Sequence, residues 1–332
     1  MQRFSRYAHS WLWLTLLGIG LILSGAIAWI VGATSIILPY DQTIAGLSRA
    51  QLLGINARLP AFMAHDRIAF AGALISVGIL YVQLAIFGVR RGERWARTAV
   101  ISSAIIGFAS FFLWLAFQYF DPVHALATLL LLVPFILGAV SPIVSPNSHT
   151  DEVQTSQTIS VATQRLGRLS KGAFLLISFG ITLAGVVIAF VGATQVFVPQ
   201  DLEFMGTTVA YLQTVNRLLV PLIAHDRAGL GGALISIGVG VFCRTLWGFR
   251  RGARWIWWTL VGSGIPGFVA ALGVHFAVGY LNFYHLFPGF VALFIYLLGL
   301  ALAFPYLYSP ERATSSPQVA MEPVSASQQA SV

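Results

Sequence analysis

The chain has 332 residues, of which 57% are hydrophobic and only 9% are charged, and its mean hydropathy is +0.81. Soluble domains carry about a quarter charged residues, so this composition excludes an ordinary soluble protein and indicates a membrane protein. The net charge of +8 could suggest a nucleic-acid partner, but the positions of the basic residues give a simpler explanation below. Cys243 is the only cysteine, which excludes an intrachain disulfide.

Eight apolar segments are long enough to cross a bilayer, which requires about 20 residues each. We therefore predict an all-α, polytopic protein with eight transmembrane helices and the lipid bilayer as its immediate partner. The first segment is longer than the core of a signal peptide, so we expect it to remain as an anchored span. The predicted spans are residues 11–37, 67–89, 97–120, 122–143, 172–197, 227–248, 256–280 and 284–307.

The sequence repeats itself at an offset of 160 residues. AFMAHDRIAFAGALISVG at 61–78 returns as PLIAHDRAGLGGALISIG at 221–238, and RRGERW at 90–95 returns as RRGARW at 250–255. Such self-similarity indicates that each copy is one structural unit. Because each copy holds four spans, both enter the membrane in the same direction, and we predict two tandem, parallel four-helix repeats.

This organisation predicts four regions. Residues 1–143 form the first membrane repeat and residues 171–308 the second. Residues 144–170 are rich in Ser, Thr, Gln and Asn, which is typical of a flexible linker. Residues 309–332 have the composition of a disordered tail.

The basic residues are distributed unevenly between the two sides of the predicted bundle. Five of the 19 Lys and Arg residues fall on the side opposite the N-terminus, and the other fourteen fall on the N-terminal side. Cytoplasmic segments carry such an excess. We therefore predict a cytoplasmic (inner) membrane protein with both termini in the cytoplasm, and no nucleic-acid partner is needed to explain the charge.

Each copy has one long connection on the predicted outer side, at 38–66 and 198–226. Loops of this length are often functional. Apolar residues are spaced among polar ones in both, so we expect a short helix along the membrane surface in each. Small residues at Gly72 and Gly232, early in the spans that follow, favour close helix approach.

Polar residues that recur in the two copies also fall on the outer side. The tripeptide His-Asp-Arg stands at 65–67 and 225–227, and the outer turns are YFDPVH at 119–124 and YLNFYH at 280–285. Ionisable groups at membrane depth are costly and indicate a functional site. We hypothesise an outer cup in each repeat that binds a small solute or ion, with the candidate residues His65, Asp66, Arg67, Asp121, His124, His225, Asp226, Arg227, His275, Asn282 and His285.

A structural interpretation of the same motif is also open. Asp66 and Asp226 could cap the amino ends of the second and sixth spans, and Arg67 and Arg227 could extend to the lipid headgroups. For the histidines, the repeat order predicts pairing within each copy: His65 with His124, and His225 with His285.

The second copy contains one extra residue. Phe108 and Tyr119 are 11 positions apart, whereas Phe268 and Tyr280 are 12 apart. The insertion lies near His275, which has no histidine counterpart in the first copy. An inserted residue can form a π-bulge, often at a functional site, or simply shift the helix end. We expect the second copy to be the more active half.

Three functions remain open from the sequence. The first is a carrier or binder of a small solute or ion. The second is a membrane oxidoreductase component with histidine-bound haem or metal. For a zinc site, each copy offers two histidines and Asp121 as a candidate third ligand, which Asn282 replaces in the second copy. The third is a scaffold for membrane assembly. No motif for nucleotide binding, metalloprotease or serine-hydrolase chemistry occurs in a fitting context, so the sequence indicates no catalytic residue, cofactor or oligomeric state.

Overall fold

A computed structural model describes residues 9–37, 39–112, 120–143 and 159–310. Within these ranges the chain is helical and contains no β-strand. In chain order the α-helices are α1 (Ser10–Thr34), α2 (Pro39–Ala45), α3 (Arg49–Ile55), α4 (Leu59–Phe87), α5 (Arg94–Phe112), α6 (Pro122–Val140), α7 (Val161–Ala193), α8 (Pro199–Met205), α9 (Val209–Val215), α10 (Leu219–Gly248), α11 (Arg254–Val278) and α12 (Phe283–Leu307).

Eight of these helices, namely all except α2, α3, α8 and α9, are long and apolar enough to cross a membrane. This confirms the predicted class of an eight-span helical membrane protein. The order of the spans along the chain also follows the prediction. Which face of the bundle lies outside the cell, and whether the termini are cytoplasmic, remain predictions from charge.

The four short helices, which we call the cap, lie at one end of the bundle. Each long connection contains two of them, where the sequence predicted one. Their apolar side chains form a single buried cluster with the first turns of α4 and α10, including Leu52, Phe62, Phe197, Leu212 and Leu222. The long connections are therefore a packed layer with its own hydrophobic core. We call this end of the bundle the capped end.

Two asparagines tie the two connections together across the cap. Nδ2 of Asn56 donates to the carbonyl of Met205 at 2.7 Å, and Nδ2 of Asn216 donates to the carbonyl of Ala45 at 2.7 Å. The asparagines are 160 positions apart, and each reaches the connection of the other copy. The cap is therefore one layer built from both copies.

The third membrane-spanning helix of each half of the chain packs on the other half. α11 packs along α4, and α5 packs along α10, while α4 and α10 also contact each other. Small residues permit this, because a Cβ atom at Gly72 would lie 2.1 Å from Cβ of Ala270, and one at Gly232 would lie 1.9 Å from Oγ of Ser110. The small residues therefore do mediate close helix approach, but they join helices of different copies.

Three boundaries differ from the sequence prediction. α4 begins at Leu59 and α10 at Leu219, eight residues before the predicted starts of these spans. α7 begins at Val161, so residues 161–170, which we expected in the flexible linker, are helical. The predicted boundaries were placed where polar residues interrupt an apolar segment. A helix continues through such residues when other groups in the fold form hydrogen bonds or ion pairs with them. Most of the remaining linker, residues 144–158, and the tail from residue 311 lie outside the described residues.

Candidate functional site: a three-histidine cluster beneath the cap

The two His-Asp-Arg motifs lie inside helices, about two turns from the start of α4 and α10. The residue at the N-cap of α4 is Arg58, and at that of α10 it is Leu218. The prediction that Asp66 and Asp226 cap these helices is therefore wrong. Both aspartates are buried, with 3% and 8% of their surfaces exposed, so the expected open cup is a cluster enclosed beneath the cap.

The arginines of the motifs form ion pairs across the two copies. Nε of Arg67 donates to Oδ2 of Asp226 at 2.8 Å, and Nε of Arg227 donates to Oδ2 of Asp66 at 3.0 Å. The prediction that these arginines extend to the headgroups is wrong, because their side chains are only 11% and 7% exposed. The reciprocal pairs therefore join α4 to α10.

The same arginines also hold two strained residues at the ends of α1 and α7. Ile36 and Val196 have φ angles of 64° and 66°, which residues branched at Cβ rarely adopt. Nη1 of Arg67 donates to the carbonyl of Ile36 at 2.5 Å, and Nη1 of Arg227 donates to the carbonyl of Val196 at 2.7 Å. Backbone strain that is held by a buried charge often occurs at functional sites, which strengthens the case for a site here.

Three histidines from three helices converge next to this ion network. His65 comes from α4, His275 from the last turn of α11, and His285 from the first turn of α12. Nε2 of His65 lies 2.9 Å from Nε2 of His275. One nitrogen from each ring lies within 4.8 Å of the other two, a spacing that could hold a metal ion. We call these residues the three-histidine cluster.

The turn between α11 and α12 brings two of these histidines together. α11 ends at Val278, and the glycine that follows, Gly279, has a φ of 75°, the left-handed conformation common at helix ends. Asn282 caps α12, and its Oδ1 accepts the backbone N–H of His285 at 3.1 Å. Asn282 is therefore a cap rather than a ligand of the cluster. α11 is a regular α-helix throughout, which rules out the π-bulge, one of the two alternatives for the inserted residue near His275.

Hydrogen bonds determine which ring nitrogen carries the hydrogen in His275 and in His65. Nδ1 of His275 lies 2.6 Å from the carbonyl of Ala271, which can only accept, so Nδ1 carries the hydrogen. Nδ1 of His65 faces Oδ1 of Asp66 at 3.0 Å and donates in the same way. Each neutral ring then presents an unprotonated Nε2 to the other, and these lone pairs conflict at 2.9 Å. A cation bound between them, or a shared proton, removes the conflict.

A tyrosine and a third aspartate complete the surroundings of the cluster. Tyr280 packs against all three rings, with centroid separations of 5.5 Å to His65, 5.7 Å to His275 and 4.7 Å to His285. Its hydroxyl donates to Oδ1 of Asp201 at 2.8 Å. Burial raises the pKa of the Tyr280 phenol, as does the adjacent Asp201, so this group stays a donor.

The other motif histidine lies in a smaller cluster. The rings of His124 and His225 stack, with centroids 5.1 Å apart and planes 21° from parallel. Nδ1 of His225 lies 3.2 Å from Oδ1 of Asp226, and Nδ1 of His124 lies 2.7 Å from Oδ2 of Asp121. The other oxygen of Asp121 caps α6. Among the described residues, no third histidine joins this pair; Leu115, which stands 160 positions before His275, falls in residues 113–119, outside the described residues.

The predicted pairing of histidines within each copy is therefore wrong. His65 of the first copy joins His275 and His285 of the second, and His225 of the second copy joins His124 of the first. The exchange follows from the packing of α11 on α4 and α5 on α10. Sequence reasoning omitted Asp201 and Tyr280 from the site, although both recur at matching positions, as Asp41 and Tyr119.

The chain matches no family model, and neither a curated protein nor a solved structure shows significant similarity to it.

Proposed function

We propose that this protein is a membrane metalloprotein that binds one transition-metal ion through His65, His275 and His285. The supporting observation is the convergence of three imidazole nitrogens from three helices within 4.8 Å. Imidazole suits zinc, copper, iron and nickel, whereas magnesium and calcium prefer oxygen. Three protein ligands leave one position of a tetrahedral ion open for water or a small ligand.

The spacing fits such an ion after a small adjustment. Nitrogens about 2.0–2.1 Å from zinc in a tetrahedral site lie roughly 3.3–3.4 Å from one another. The two Nε2 atoms of His65 and His275 are 2.9 Å apart, a few tenths of an ångström less than this value, and the ligand nitrogen of His285 lies within 4.8 Å of the other two. Both rings already direct Nδ1 toward an acceptor, the arrangement that orients metal-bound histidines.

The charge around the cluster also favours a cation. The carboxylate of Asp66 contacts His65, that of Asp201 contacts Tyr280, and the guanidinium of Arg227 lies between the two carboxylates. If all three are ionised, the surroundings carry one net negative charge. A divalent ion bound by neutral imidazoles is attracted by that charge, and the attraction is strengthened by burial.

Haem fits this geometry less well than a metal ion. A haem has to lie between its two axial imidazoles, whereas Nε2 of His65 and Nε2 of His275 are in direct contact at 2.9 Å. We therefore favour metal binding over the haem alternative. A carrier function would use the same site. Movement of the ion across the membrane is a further hypothesis, which requires first that the protein binds a metal ion.

Metal titration of purified protein tests this proposal. The protein is prepared in detergent with an affinity tag that contains no histidine, stripped with chelator, and titrated with Zn²⁺ and with Co²⁺ as a spectroscopic probe. We expect one tightly bound ion per chain and a tetrahedral Co²⁺ spectrum. His275→Ala should abolish both, while His124→Ala, from the smaller cluster, should retain them. No binding by the wild type, or equal loss in both variants, would overturn the proposal.

A further inference from the structure

We infer that Asp66, Arg227 and Asp201 form a positioning network that sets the metal affinity of the three-histidine cluster. The inference rests on the proposed function and concerns residues that do not contact the ion themselves. It assigns a role to residues from both His-Asp-Arg motifs: the histidine and aspartate of the motif in α4, and the arginine of the motif in α10.

The first step of the argument is the link between Asp66 and His65. Oδ1 of Asp66 faces Nδ1 of His65 at 3.0 Å, which fixes the ring so that Nε2 points to the cluster. A carboxylate in this position also makes the imidazole a stronger ligand. Asp66 is only 3% exposed, so water does not substitute for it easily.

The second step is the position of Arg227 between two carboxylates. Its Nε donates to Oδ2 of Asp66 at 3.0 Å, and its Nη1 donates to Oδ2 of Asp201 at 2.6 Å. A guanidinium is rigid and planar, so the distance and angle between the two carboxylates are fixed together. Asp66 therefore cannot turn away from His65 without breaking the bond to Arg227.

The third step leads from Asp201 back to the cluster. Asp201 lies in α8 of the cap and is fully buried. Its Oδ2 also accepts the backbone N–H of Val198 at 2.8 Å, and its Oδ1 accepts the hydroxyl of Tyr280. Tyr280 in turn packs on His285, with ring centroids 4.7 Å apart. The network thus starts at one histidine of the cluster, passes through the cap, and returns at another.

The second motif provides a matched control within the same molecule. Arg67, Asp226 and His225 repeat two contacts of the network, with an Arg–Asp distance of 2.8 Å and a His–Asp distance of 3.2 Å. These residues serve the smaller cluster of His124 and His225. A substitution at Asp226 therefore causes the same chemical loss at the same depth without touching the three histidines.

The test compares Asp66→Asn with Asp226→Asn in Zn²⁺ competition titrations and Co²⁺ spectra. Loss of an outer-shell partner typically weakens metal affinity by about 10–100-fold. We expect that loss for Asp66→Asn, with one ion still bound per chain and an altered Co²⁺ spectrum. Asp226→Asn should keep the wild-type affinity and spectrum. Wild-type affinity in Asp66→Asn, or an equal loss of affinity in the two variants, would overturn the inference.

A milder variant keeps the test valid if Asp66→Asn does not fold. Tyr280→Phe removes only the hydroxyl that binds Asp201 and leaves the ring in place. We expect an intermediate loss of affinity, about several-fold, with a normal elution profile on size exclusion. An unchanged metal affinity in Tyr280→Phe would contradict the proposed link from Asp201 through Tyr280 to His285. If the wild type itself binds no metal, the proposed function fails; if it binds and these variants match it, only the positioning role fails.

Discussion

Nε2 of His65 lies 2.9 Å from Nε2 of His275, although the two residues are 210 positions apart and belong to different halves of the chain. Two hydrogen bonds on the far sides of the rings leave both nitrogens unprotonated in the neutral state. The contact therefore requires a proton or a cation between them. His285 supplies a third nitrogen, which favours a metal ion.

The two motif histidines should differ in their effect on metal binding. His65→Ala removes a member of the three-histidine cluster, whereas His225→Ala removes a ring that stacks on His124. We expect His65→Ala to lower the bound metal well below one ion per chain and His225→Ala to leave it near one, measured by elemental analysis after desalting. Equal losses would contradict the assignment of the bound ion to the three-histidine cluster. This expectation replaces that of a more active second copy, since the cluster draws on both.

The reciprocal ion pairs predict a double-mutant result. Arg67→Met leaves Asp226 buried without that partner, and Asp226→Leu leaves Arg67 in the same state. Breaking a buried pair from one side typically costs about 3–5 kcal/mol, while replacing both members with apolar residues can be nearly neutral. We expect the double variant to unfold at a higher temperature than either single variant in detergent. Additive losses would mean that the pair contributes nothing as a pair.

Close packing of α4 on α11 predicts a large effect of one methyl group. A Cβ atom at Gly72 would lie 2.1 Å from Cβ of Ala270 and 2.8 Å from the carbonyl of Pro266, so the helices have to separate. We expect Gly72→Ala to destabilise the protein by about 1–3 kcal/mol. Gly180→Ala in α7, where no atom lies within 4 Å of the added Cβ, is the control and should be neutral or slightly stabilising. Equal thermal stability of the two variants would contradict the close packing of α4 on α11.

The orientation predicted from charge can be tested with single cysteines. In a Cys243→Ser background, cysteines at Ser48 and Thr208, both at the capped end, should react with an impermeant maleimide in intact cells. A cysteine at Ser156, in the linker on the other predicted side, should react only after permeabilisation. The reverse pattern would place the cap in the cytoplasm.

Metal binding should protect the second half of the cap. Asp201 joins α8 to Arg227 and, through Tyr280, to the rings of the cluster. We expect added Zn²⁺ to slow amide hydrogen exchange in residues 199–205 more than in residues 49–55 of α3. The physical reason is that opening of α8 requires release of the network that orients the metal site. Equal slowing in both segments would indicate a general stabilisation of the fold.

The fold class could be predicted from the sequence, while the site could only be predicted in part. Eight apolar runs of sufficient length specify eight spans without knowledge of their partners. The position of Asp66 directly before such a run suggested a helix cap, because hydropathy alone does not show that a helix continues through charged residues. Here it continues because Arg227 of the other copy neutralises the carboxylate.

The repeat pattern in the sequence could not predict that each motif histidine would pair with histidines from the other half of the chain. The pattern identifies His65 and His225 as equivalent, but it does not say which copy supplies the neighbouring helices. That choice depends on the fit of Gly72 against Ala270 and of Gly232 against Ser110, which is a property of packing in three dimensions. The recurrence of Asp201 and Tyr280 as Asp41 and Tyr119 was a usable signal for the rest of the site.

X-ray absorption spectroscopy of the zinc-loaded protein tests the central claim most directly, because it reports the atoms around the ion. With three histidine ligands, the first shell should contain nitrogen or oxygen at about 2.0–2.1 Å, and the outer shells should show multiple scattering from about three imidazole rings. His285→Ala should reduce that imidazole signal by about one ring, and His124→Ala should leave it unchanged. A wild-type spectrum with no imidazole scattering, or with the same imidazole signal after His285→Ala, would contradict the three-histidine site.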